Sequence, residues 1–195
     1  PEQLFPYNKF RQAYKYHFVE PIEFYGPGRD KKPPAGLSEV RIGFLGPLTE
    51  DEMFFEGKNM LNGALLALEQ ANARGGYKGL PYRLMAHSDA GLWGAAANEV
   101  IKMDEEGVWA WLGSIDDIVS HVALRATLKV EIMIVNTGDP DPTFTDTNIP
   151  WAIRVISDDR QRGYALAMHI FEEKGNERVA VIRSNNRYGR VGVME

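Results

Sequence analysis

Hydrophobic positions along this chain change their period several times, and each change marks an element. Val40-Arg41-Ile42-Gly43-Phe44-Leu45 is a short apolar run of the kind that forms a buried strand. From Gly57 the spacing becomes helical, with Leu61, Ala64, Leu65, Leu68 and Ala71 or Asn72 recurring on one face. Ala73-Arg74-Gly75-Gly76 ends that helix, because glycine takes the left-handed conformation that closes a C-terminus. A turn at Tyr77-Lys78-Gly79 leads into a second strand, Tyr82 to Ala86. Strand, long helix and strand in this order predict a right-handed βαβ unit with parallel strands.

The alternation continues. Trp93, Ala96, Ala97, Val100 and Ile101 form the inner face of a second helix. Its acidic end, Asp104-Glu105-Glu106, opposes the helix dipole, and Gly107 stops it. Val108 to Leu112 reads as the third strand, and a third helix turns Val119, Val122, Ala123 and Ala126 inward. Ile132 to Val135 is the fourth strand, and Asp139 to Pro150, with three prolines, is a boundary loop. Trp151 to Val155 reads as a fifth strand. A helix capped at Ser157-Asp158-Asp159 follows, with Ala167, Ile170 and Phe171 inside, closed at Lys174-Gly175; Arg178 to Ile182 is a sixth strand. The fold class is α/β, a doubly wound and mainly parallel sheet covered on both faces.

Residues before Leu37 lie outside this pattern. The arm is dense in aromatics, and Phe10, Tyr14 and Phe18 share one stripe of a short helix over Asn8 to Phe18. Gly26-Pro27-Gly28 reads as a turn and Lys31-Lys32-Pro33-Pro34 as an extended linker, so the arm is expected to pack on a surface without a ligand role.

Composition narrows the function. Hydrophobic residues make up 44% of 195, which supports a real core, and a net charge of −5 argues against a nucleic-acid partner. No apolar run is long enough to insert in a membrane. With no cysteine there are no disulfides, no thiolate chemistry and no cysteine-bound zinc. The four histidines, His17, His87, His121 and His169, lack metal-ligand spacing, so no metal site is expected. Neither Gly-x-Gly-x-x-Gly nor Gly-Lys-Ser/Thr occurs, so no nucleotide cofactor is expected. Ser114, Ser120, His121 and Asp116 or Asp117 hold the ingredients of a triad, but on one local segment with no nucleophile elbow. The reading is therefore not an enzyme.

One ordered series is more specific. Gly46-Pro47-Leu48-Thr49, Gly57, Gly63, Asn72-Ala73-Arg74-Gly75-Gly76, Lys78-Gly79 and Ser88-Asp89-Ala90 follow one another across some fifty residues. This series resembles the first lobe of the type I periplasmic binding proteins, in particular the branched-chain amino-acid-binding subfamily. The likeness continues through Ile153-Arg154, Asp159 and Gly163, Val179 to Ile182, and Asn186-x-Tyr188-Gly189. It implies three regions: residues 1–38 as arm and linker, 39–153 as the first ligand-binding lobe, and 154–195 as the start of an incomplete second lobe. It also implies an exported protein, periplasmic or extracellular, that captures a small polar ligand, an amino acid or a related compound, for the membrane permease of an ABC transporter. A ligand-sensing receptor domain of a signalling protein with the same fold is the alternative. An interaction module that has lost ligand binding is a third reading.

Ligands of an open parallel sheet bind beyond the carboxyl ends of the strands. The candidate ligand-binding residues there are Ser114, Asp116, Asp117, Asn136, Thr137 and Gly138, with Trp93 as a candidate wall and Tyr188 closing from the second lobe. Relatives hold an α-carboxylate with the third and fourth of these loops. This chain has Asp116-Asp117 and Asp139-Pro140-Asp141 there, and Pro140 offers no N–H. Carboxylates at that point repel a ligand carboxylate by roughly 1 to 4 kcal/mol at about 4 Å. Asp116 and Asp117 therefore either cap the third helix or select a cationic or polyhydroxylated ligand. As a 195-residue species the chain is expected to self-associate, because the second lobe's apolar faces lack cover.

Overall fold

Two short strands, the first rich in Val and Ile, and a helix between them set the frame. In the computed structural model, which describes residues 35–49, 53–90, 93–147 and 149–195, β1 (Val40–Gly46) pairs in parallel with β2 (Tyr82–Ser88) across α1 (Phe54–Ala73). Then follow α2 (Trp93–Glu105), β3 (Ala110–Leu112), α3 (Asp117–Val130), β4 (Met133–Asn136), the short α4 (Thr143–Asp146) and β5 (Ala152–Arg154). All five strands are parallel in the order β2-β1-β3-β4-β5. The reversal of direction after β2 puts α1 on one face and α2 and α3 on the other, by the right-handed crossover rule. The helix and linker expected within residues 1–34 lie outside the described residues.

The α2–α3 face holds the core. Ala96, Val100 and Met103 from α2 meet Val119, Ala123, Leu124 and Ala126 from α3 around Trp111. Gly43 makes room for that indole, since a Cβ there would lie 2.8 Å from the Trp111 Cβ and 2.4 Å from the Met103 sulfur. The inner stripe of α2 therefore runs through Met103, and Ile101, expected inside, is exposed.

The other face differs from expectation. Helix α1 buries Gly57 and Ala64 but leaves Leu65 exposed. It covers the β1–β2 side and leaves Met133 of β4 and Ile153 of β5 at 43% and 42% exposure. Position alternation and register put both on the Phe44 face, so the sheet is only half covered there.

Beyond β5, α5 (Asp159–Ala167) runs into a π-helical turn, Met168–Glu173, and α6 (Arg187–Met194) ends the chain. The expected sixth strand does not form. Residues 178–184 are free of regular structure, because no described strand lies beside them to complete a ladder.

Candidate functional site

The carboxyl ends of β1, β3 and β4 feed loops that gather at one edge of the sheet. Helices α5 and α6 bring their N-terminal turns to the same place. Between them lies a cleft of about 240 Å³, walled on the sheet side by Met53, Ile115, Asp116, Asp117, Gly138 and Pro140, and on the other by Arg162, Asn186 and Tyr188.

The two neighbouring aspartates take different roles. Asp116 is the N-cap of α3, with Oδ1 accepting from the Val119 N–H at 2.9 Å. Asp117, in the first turn, is only 6% exposed, and its Oδ2 accepts no hydrogen bond. Burial, then the adjacent Asp116, pushes its carboxyl above the usual range. Gly138 stands on the wall where the β3 and β4 loops touch; a Cβ there would lie 3.0 Å from Ile115 Cα and from the Ser114 carbonyl oxygen. Tyr188 is on the opposite rim.

Ser114, Asn136 and Thr137 stand behind the wall instead of lining it. Ser114 is fully buried and donates through Oγ to Asp89 at 3.2 Å. Asn136 is fully buried too, and its Oδ1 accepts from the N–H groups of Gly138 and Asp139 at 3.1 and 2.9 Å, shaping the loop. The Thr137 hydroxyl is buried with no hydrogen-bond partner. Trp93 heads α2, but its side chain lies outside the described residues.

Sequence reasoning missed Arg162, Asn186 and the ion pairs behind the wall. Asn186 had a readable signal, as an asparagine opening a helix: its Oδ1 accepts from the Gly189 N–H at 2.9 Å. Arg162 had none, being one of several charged residues on an exposed helix. Arg187 reaches from α6 across to the sheet's loops. Its Nε is 3.0 Å from Asp141 Oδ2 and 3.3 Å from Asp117 Oδ2, and Nη2 also bonds Asp141. The hydrogen bonds go to Asp141, so Asp117 receives the charge at ion-pair distance without the directed bond.

Asp141 is buried, which opposes ionisation, yet the Thr143 hydroxyl and N–H and the Arg187 guanidinium outweigh burial and hold its carboxyl below the usual range. Asp139 has no comparable support. Burial raises it to about 6, its Oδ1 accepts only from the Asp141 N–H at 2.8 Å, and its Oδ2 lies 3.9 Å from His121. Arg154 ties the floor together, donating to the Asp141 carbonyl at 2.7 Å and to Asp158 at 3.0 Å.

The triad ingredients stay apart. Ser114 bonds Asp89, the Ser120 hydroxyl is sealed inside α3, and His121 contacts the Asp117 carbonyl and Thr143. Among the described residues no group of three His, Cys, Asp or Glu is arranged to hold a metal ion, and no helix is long and apolar enough to cross a membrane.

A family model described as periplasmic binding protein matches residues 39–194. A Leu/Ile/Val-binding protein of Rhizobium johnstonii is 22% identical over 157 residues, which are 80% of this chain and 42% of that protein. An amino acid binding protein of Pseudomonas aeruginosa is 27% identical over 157 residues, 79% of this chain and 41% of that protein. Among solved structures, the branched-chain amino acid transporter substrate-binding protein of Streptococcus pneumoniae, in complex with isoleucine, matches with a TM-score of 0.71. It is 17% identical and covers 80% of this chain and 45% of its own. The chain thus spans less than half the length of the relatives it matches. With the match running from β1 through α6, the chain belongs to the periplasmic binding protein family.

Proposed function

We propose that the protein captures a small polar solute, an amino acid or a close relative, between the sheet's loops and the α5–α6 segment. The closed form would be read by the permease of an ABC transporter, in the periplasm or outside the cell. The observation that carries this reading is the two-sided cleft of about 240 Å³, to which residues far apart in sequence contribute polar groups from both walls. Its volume lies below the roughly 300 to 1,000 Å³ of drug-sized sites, which favours a solute of amino-acid size. Residues 39–153 would act as the first lobe and 154–195 as the start of the second. The segment 150–156 would absorb the dihedral change on closure. Relatives named for binding amino acids support the class of ligand.

The test is a thermal-shift screen of the 195-residue chain against amino acids, amines, amides and small acids, followed by calorimetry. A ligand at about 100 times its Kd adds roughly 2.7 kcal/mol of stability. The expected result is a clear rise in melting temperature with at least one class. No rise with any class would sink the proposal.

A further inference from the structure

We propose that the cleft takes its ligand with the cationic end toward the sheet, on Asp117, and any acidic end on Arg162 of α5. This rests on the solute-capture reading and names the charge pattern of the solute. The motivation is how the charges of the two walls are already committed. On the sheet side, Asp116 spends Oδ1 on capping α3 and Asp141 is bound by Arg187 and Thr143. Asp117 Oδ2 is left more than nine-tenths buried at the cleft wall, 3.3 Å from Arg187 but with no hydrogen bond. A buried carboxylate oxygen without a donor is costly, and an ammonium or amide N–H of a ligand is the group that relieves it.

The loops beside it offer little to an acid. Pro140 has no N–H, and the Gly138 N–H already donates to Asn136. The opposite wall has the complementary charge. The Arg162 side chain is 45% exposed and hydrogen-bonds Ser157 at 3.2 Å, while its Nη1 stays 3.9 Å from Asp159, so the planar fork retains donors for a carboxylate. Arg187 sets the selectivity by neutralising Asp141 and leaving Asp117 the acceptor.

The experiment is calorimetric titration of the 195-residue chain with three matched probes: leucine, leucinamide (no carboxylate) and isocaproic acid (no amine). Asp117→Asn should weaken leucine and leucinamide by about tenfold or more, the size of one charge-assisted hydrogen bond, and spare isocaproate. Arg162→Gln should weaken leucine and spare leucinamide. It sits on an exposed helix position and keeps the test decisive if Asp117→Asn does not fold. A wild-type preference for isocaproate, or binding that neither variant changes, overturns the orientation while solute capture stands. Binding of none of the three removes the orientation together with capture of branched-chain solutes.

Discussion

Asp116 and Asp117 are adjacent in sequence, yet one is spent on a helix cap and the other is buried at the cleft wall. The difference comes from geometry at a helix start. The N-cap residue points its side chain back at the first turn, and the next residue is rotated by about 100° about the axis. Asp139 shows what burial does when no cation gives the carboxylate a directed hydrogen bond, His121 standing 3.9 Å away. Its folded carboxyl titrates at about 6 against 3.8 for the free group, so the folded state holds the proton more tightly. The stability this gives is present below the lower value and is lost as pH rises through the higher one, on the order of 3 kcal/mol. Asp141 works the other way: its lowered carboxyl stabilises above the free value and loses that contribution on acidification below it. Asp139→Asn keeps the acceptor for the Asp141 N–H and removes the charge. Urea melts at about pH 4.5 and about pH 7 should show it more stable than wild type at the higher pH, with a flatter profile between. An unaltered profile would mean that Asp139 is solvated in solution.

Helix α1 shows how an element is held by its ends. No side chain caps its N-terminus. Gly57 instead lets the first turn sit on the β1 loop, where a Cβ would lie 2.1 Å from the Pro47 carbonyl oxygen. At the other end Gly75 and Gly76, both at positive φ, donate to the Asn72 and Ala71 carbonyls and stop the helix. The Asn72 side chain then brackets the start of β2, accepting from the Tyr82 N–H at 2.7 Å and donating to its carbonyl at 2.9 Å. That bracket is the physical content of the asparagine–glycine series. Alanine at an exposed helix position gains about 1 kcal/mol over glycine. At Gly57 the clash reverses the sign, and Gly57→Ala should destabilise by about 1 to 3 kcal/mol. A denaturant melt showing Gly57→Ala as stable as wild type would refute the close approach. The end of α2 carries a related lesson. Its acidic terminus is compensated by tertiary contacts: His87 of β2 lies 2.7 Å from Glu99 and 2.9 Å from Glu106, and Arg41 donates to the Glu106 carbonyl at 2.7 Å.

At the scale of the whole molecule, apolar surface is the dominant feature. Met133 and Ile153 lie on the uncovered half of the sheet, and Phe171 and Ile182 beyond it are 49% and 98% exposed. Contiguous exposed apolar patches beyond a few hundred Å² are unusual on soluble monomers. The 195-residue chain should therefore associate with itself at micromolar concentration. Light scattering should report a mass above 21.9 kDa, and Ile153→Lys or Ile182→Lys should lower it. A monodisperse species at the monomer mass would show that these faces are covered in solution.

Much of this architecture was legible from residues alone. Short apolar runs alternating with helical periods specify a parallel α/β sheet, because only that arrangement buries both kinds of face. The glycines at 75, 76 and 107 marked two helix ends, since left-handed backbone favours glycine locally whatever surrounds it. The cleft was less legible. Loop position singled out Ser114, Asn136 and Thr137, but strand-end residues turn either into the crevice or under the loop according to what packs behind them. Leu65 and Ile101 belong to helical stripes that the chain does not fully cover, and Arg178 to Ile182 has strand composition without a strand beside it. Arg187 meets Asp141 across 46 positions of sequence, and no local period encodes such a pair. The sequence by itself determined the five strands of the sheet, the three long helices among them and their order, which depend on neighbours within a turn or two. Only the tertiary structure decided which carboxylate faces the cleft, which is capped and which is paired, because those depend on contacts made after the elements pack.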